Sequence, residues 1–126
     1  MVKREVLPVK GSHHQNPIPT AVKIGNMVFT SAIIGSDPET GEIPKKVEDE
    51  IKNLFHYMRE IMELAGGTTD NIAHVSVLTT DREYKKIVNQ EWLKMFPDPN
   101  NRPARHTTVQ DLREGLRVQI EMIAVL

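Results

Sequence analysis

This sequence predicts an α+β fold, with two helices on one face of a mixed sheet of about six strands, and three observations carry that expectation. Two β-branched runs, Ala21 to Ile24 and Met27 to Ile34, meet at Gly25-Asn26, a dipeptide suited to a tight hairpin turn. Two longer stretches place apolar residues at helical spacing, and the run from Arg117 to Leu126 alternates as a strand does.

Before the hairpin, Pro17 and Pro19 forbid helix and give an extended approach loop. After it, Asp37-Pro38-Glu39-Thr40-Gly41 is built of residues that cap or pre-set a turn. From Lys46 to Ala65 the apolar positions Val47, Ile51, Leu54, Phe55, Met58, Ile61, Met62 and Ala65 define an amphipathic helix, which Gly66-Gly67 stops. Ile72 to Thr79 is rich in β-branched residues and reads as a strand, although Ala73-His74 breaks its alternation. Asp81 suits the N-cap of a second helix that buries Tyr84, Ile87, Val88, Trp92, Met95 and Phe96 before Pro97 and Pro99 end it.

In the last strand Val118, Ile120, Met122, Ala124 and Leu126 form one apolar face. The other starts polar, at Arg117, Gln119 and Glu121, and turns apolar at Ile123 and Val125. The side of the sheet away from the helices therefore needs a cover, which another subunit supplies most simply.

The 126 residues fit a single domain spanning 1–126. The absence of cysteine excludes disulfides, a thiol nucleophile and thiolate zinc sites. Lys and Arg number 16 against 17 Asp and Glu, a formal charge of -1 without blocks of like charge, so nucleic acid is not an expected partner. No stretch has the length of a membrane span and the N-terminus lacks the apolar core of a signal peptide, so a cytoplasmic location without a membrane partner is expected.

Arg105 is the side chain with the clearest chemical prospect. It follows the rigid corner Arg102-Pro103-Ala104 and is expected to face the strand carrying Gln119 and Glu121, where a guanidinium can grip a carboxylate at two points. By composition alone its alternative is a solvated surface arginine. Trp92 and the methionines lie at helical spacing and are read as core filling.

Over nearly its whole length the chain resembles the Rid family of reactive-intermediate imine deaminases, also called the YjgF or liver perchloric-acid-soluble protein family. The resemblance lies in Ile24-Gly25-Asn26-Met27-Val28-Phe29-Thr30-Ser31, in Asp37 to Gly41, in Ala65-Gly66-Gly67, and in Arg102-Pro103-Ala104-Arg105 followed by Val118 to Ala124. It implies a chorismate-mutase-like homotrimer with clefts between subunits, hydrolysing enamines and imines to 2-keto acids and ammonia without metal or organic cofactor. By that analogy Arg105 binds the substrate carboxylate, backbone and side-chain groups at Thr107 lie beside it, and Asn89, Ser31 and Ile18 border the cleft.

The chain also departs from the family pattern. Gln119 stands where a glutamate helps position the attacking water, and an amide can accept a hydrogen bond from water but cannot take its proton. Ile18 replaces a tyrosine, Ala32 a glycine, and Thr107 a small or thiol residue. His13 or His14 on the approach loop could supply the polar contact of the missing tyrosine, as proton donor or second anion contact, against the plainer reading of surface loop histidines. Adjacent histidines on an extended chain point to opposite sides with no carboxylate cluster nearby, so no metal is expected.

The function expected is therefore a hydrolytic deaminase of 2-iminopropanoate-like enamine and imine acids. One alternative is a 2-aminomuconate-type deaminase, with Arg102, His13 or His14 holding a second carboxylate. Others are a non-catalytic metabolite-binding or chaperone-like trimer, which Gln119 keeps open, and a ribonuclease or translation inhibitor, against which the near-neutral charge counts.

Overall fold

The computed structural model describes residues 3–11 and 16–126. Its strands and helices are β1 (Glu5–Val6), β2 (Ala21–Ile24), β3 (Met27–Thr30), β4 (Ile33–Ile34), α1 (Val47–Leu64), β5 (Ile72–Thr79), α2 (Lys85–Met95), β6 (Ala104–Val109) and β7 (Val118–Val125), with short 3₁₀ turns ahead of β5 and α2. The sheet runs β1-β2-β3-β7-β5-β6, and β4 pairs with β7 beyond the end of β3. Among the described residues only β5 and β6 pair in parallel, which makes the sheet mixed as expected.

The hairpin turns at Gly25, whose φ of 59° costs glycine nothing, while Asn26 stays at negative φ. Its second arm is interrupted at Ser31-Ala32, where the sequence reads as one strand to Ile34. The Ser31 amide bonds to the Thr20 carbonyl and the Thr30 hydroxyl accepts the Met122 amide at 2.9 Å, so side chain replaces backbone in the ladder at this point.

Helix α1 lies between Lys46 and Ala65 as its caps. Gly66, at φ 87°, closes it: the Gly67 amide donates to Met62 and the Gly66 amide to Glu63, satisfying carbonyls the helix leaves open. The buried face holds Ile51, Leu54, Phe55, Met58, Ile61 and Met62, and also Glu50 and Tyr57, which the apolar pattern does not include. Asp81 caps the 3₁₀ turn Arg82–Tyr84 through the Glu83 amide at 2.8 Å, and α2 follows directly. The break in alternation at Ala73 is a β-bulge, between Ile72 and His74.

Both helices cover the side of the sheet that presents Val28, Val75, Val77, Val118, Ile120, Met122 and Ala124, all nearly inaccessible. On the opposite side register aligns Val22 with Phe29, Ile24 with Met27, Phe29 with Ile123 and Met27 with Val125. That open side is apolar at this end, and Val125 is 41% exposed.

Glu50 joins the layers. Its fully buried carboxylate accepts Arg117 Nε at 2.7 Å and the Arg117 amide at 3.0 Å, while the Arg117 guanidinium also donates to the carbonyls of Pro44 and Lys45. The start of β7 is thereby fastened to the first turn of α1. Among the described residues no helix is long and apolar enough to cross a membrane.

Candidate functional site

Arg105 sits on β6, the last strand of the sheet path. It pairs with Val75, and Thr107 with Val77, so both side chains lie on the helix side of the sheet. There α2 meets them. Asn89 and Trp92 are three residues apart on that helix and share a face. Asn89 Oδ1 accepts Arg105 Nη2 at 2.7 Å, and the guanidinium carbon lies 4.8 Å from the Trp92 ring centroid. Asn89 thus orients one edge of the guanidinium, and Trp92, itself 8% exposed, supplies a stacking face.

Arg105 Nη1 is buried and has no hydrogen-bond partner among the described residues. A buried donor left unpaired costs about 1–3 kcal/mol, more when charged, so this group is set up to gain from an acceptor. Burial pulls the guanidinium below its ordinary pKa, yet arginine stays charged in proteins. A half-buried cation with an idle donor has the chemistry to accept an anion, and the guanidinium fork matches a planar carboxylate in shape.

The other expected site residues do not gather around it. Gln119 pairs with Leu78 of β5 and Ile34 of β4, on the side of the sheet away from the helices. The expectation that Arg105 faces the Gln119 strand is corrected: β5 lies between β6 and β7, and the two side chains leave opposite faces. The reason is register, since one step along a strand reverses the face.

Ser31 lies beside the hairpin, its hydroxyl bonded to the Pro19 carbonyl at 2.8 Å, and lines a hollow of about 160 Å³ with Pro19, Val22 and Phe29. Ile18 is 46% exposed on the approach loop. A second hollow, of about 220 Å³, lies on the open side between Phe29, Ser76, Glu121 and Ile123. His13 and His14 lie outside the described residues. Among those described, no cluster of His, Cys, Asp or Glu could hold a metal ion.

Arg102 is committed elsewhere. Its Nε donates to the Phe96 carbonyl at 2.9 Å and its Nη2 to Pro97 at 3.4 Å, closing the end of α2. The sequence shows Trp92 only as core. The i, i+3 spacing of Asn89 and Trp92 was the available signal, but nothing in the sequence says that β6 would lie beneath α2.

The model of the endoribonuclease L-PSP family matches residues 13–126. The chain belongs to that family, the Rid or YjgF family. It is 34% identical over 128 residues to reactive intermediate deaminase A of Arabidopsis thaliana, a chloroplastic protein, covering 99% of this chain and 67% of that one. Among solved Rid-family structures it resembles RidA from the Antarctic bacterium Psychrobacter, with a TM-score of 0.87 at 29% identity, covering 96% of this chain and 98% of that one. It equally resembles Escherichia coli TdcF with bound serine, TM-score 0.87 at 27% identity, covering 97% and 98%. The helices-on-sheet architecture is the Rid fold.

Proposed function

We propose that this Rid-family chain is a hydrolytic deaminase of small enamine and imine acids of the 2-iminopropanoate kind. The observation that carries the reading is Arg105, held by Asn89 and Trp92 with Nη1 unpaired among the described residues. The deaminase named in Arabidopsis and the serine bound to TdcF support a small carboxylate-bearing ligand.

In the reaction, water adds to the imine carbon while nitrogen takes a proton, then the C–N bond breaks and ammonia leaves a 2-keto acid. A protonated imine is already electrophilic, so holding water and substrate in attack geometry supplies most of the acceleration. Arg105 clamps the carboxylate and the backbone around Thr107 contacts the reacting group. The Gln119 carbonyl orients the water, and Ser31 and Ile18 border the substrate. Because Arg105 and Gln119 occupy opposite faces of one chain, they share a site only if neighbouring copies each contribute one of them. A homotrimer that sets the β6 edge of one copy against the open face of the next satisfies that requirement, and the proposed reaction needs no cofactor.

The engagement of Arg102 with Phe96 and Pro97 supports a substrate with one carboxylate over the aminomuconate-type dicarboxylate. The neutral Gln119 favours, as a second reading, a trimer that binds metabolites without turning them over. The test is release of pyruvate from freshly generated 2-iminopropanoate, with wild type against Arg105→Ala. Acceleration lost in the variant supports the deaminase. Arginine-dependent binding without acceleration supports the second reading, and acceleration of 2-aminomuconate hydrolysis alone would replace the substrate.

A further inference from the structure

We infer that Trp92 is the positioning residue for the carboxylate anchor, so that ligand binding at Arg105 is coupled to the electronic state of the chain's single tryptophan. The inference rests on the reading of Arg105 as a carboxylate receptor, and it adds a residue that acts through the arginine and not on the substrate.

Two contacts and one unpaired donor define the guanidinium. Its Nη2 is taken by Asn89, its carbon lies over the indole ring at 4.8 Å from the centroid, and its Nη1 is buried without a partner among the described residues. An arginine side chain carries about 2 kcal/mol of rotamer entropy, which binding must otherwise remove. Stacking on a buried indole limits that freedom before the ligand arrives, and the indole is fixed in turn by Phe96, whose ring packs on it edge-on at 4.7 Å. Trp92 is one turn along α2 from Asn89, so the same short stretch of helix supplies both restraints. A stacked cation is also the group whose charge a bound carboxylate would neutralise. The indole should sense that change, because cation–π attraction is electrostatic and depends on the net charge above the ring.

The test uses the full-length protein and pyruvate, a carboxylate that requires no turnover. Tryptophan emission reports this site alone, since Trp92 is the single tryptophan of the chain. A saturable emission change on pyruvate addition is expected, absent in Arg105→Ala. Calorimetry should show affinity reduced about tenfold in Trp92→Leu and about threefold in Trp92→Phe, which keeps a ring under the guanidinium. If the Leu variant does not fold, the Phe variant and the wild-type titration carry the test. A merely structural role would lower unfolding temperature in both variants without changing the affinity of the folded protein.

Wild-type pyruvate affinity in a folded Trp92 variant, or an emission insensitive to Arg105-dependent binding, overturns the inference. The deaminase reading falls separately. If 2-iminopropanoate is not turned over while the emission change persists, Trp92 keeps its role in a binding protein. If turnover depends on Arg105 but ignores Trp92, the deaminase stands and the positioning role is lost.

Discussion

Arg105 and Gln119 leave opposite faces of one sheet, with β5 between their strands. One chain therefore carries Arg105 on the helix side at the β6 edge and Gln119 on the open side between β4 and β5. That separation makes assembly part of the proposed chemistry, and it orders the expected effects of substitutions.

Removing the anchor should be the most costly single change to function. Arg105→Ala is expected to lower kcat/KM for 2-iminopropanoate about ten- to a hundredfold, as loss of a charged hydrogen bond of about 1.5–3 kcal/mol implies. Asn89→Ala, which removes only the 2.7 Å restraint on Nη2, should cost about fivefold. Steady-state kinetics on both, with circular dichroism to confirm folding, checks the order.

Gln119→Glu tests the water network. A carboxylate at this position could take a proton, and an increase in kcat of about tenfold or more is expected from added general-base catalysis. Unchanged keto-acid release would place Gln119 outside the network.

The open face should govern assembly. Val125→Asp puts a charge among Val125, Met27 and Ile123 without touching the helix side. Sedimentation is expected to shift from trimer to monomer, and turnover to fall with it although Arg105 is intact. A fully active monomer would refute the shared cleft.

Glu50 should matter to stability far more than to binding. Its carboxylate satisfies Arg117 Nε and the backbone amide of the same residue in a fully buried position. Removing one partner of such a pair costs about 3–5 kcal/mol, so Glu50→Ala should shift denaturant unfolding by that amount. Glu50→Gln, which keeps an acceptor, should cost about half as much.

Tyr57 gives the alkaline limit. Its hydroxyl donates to the Ser36 carbonyl at 2.7 Å and lies 3.5 Å from the Ser36 hydroxyl; burial pushes its pKa up against the lowering effect of that hydroxyl, and nearby Glu60 and Asp37 add to the rise. The folded chain then holds the proton more tightly than the unfolded one. Stability from this group is complete below the unfolded value, near pH 10, and declines as pH rises towards and through the higher folded value. Tyr57→Phe should be less stable at neutral pH by about 1 kcal/mol, for the lost hydrogen bond, and should show a shallower alkaline decline. Thermal unfolding from pH 8 upward measures both.

Much of this fold is legible in the chain because it rests on local signals. The stripe from Val47 to Ala65 gives α1 to within its caps, Gly66 gives its end, and the break at Ala73 marks a bulge. Glu50 and Tyr57 escape that reading, since a polar residue inside an apolar stripe is understood only when its partner is known. Their partners, Arg117 and Ser36, come from distant segments.

By itself the sequence determined both helices, the hairpin turn, the strands β5 and β7 and the apolar surfaces they would bury, though not the break between β3 and β4, and it singled out Arg105 behind its proline corner. Only the tertiary structure decided which way Arg105 faces and what holds it. Periodicity specifies which residues of a strand share a side, whereas strand order and register choose that side and its neighbours. Those are set by long-range pairing of β5 with β6 and β7, so Asn89 and Trp92 come to hold Arg105 while Gln119 lies on the opposite face of the same chain.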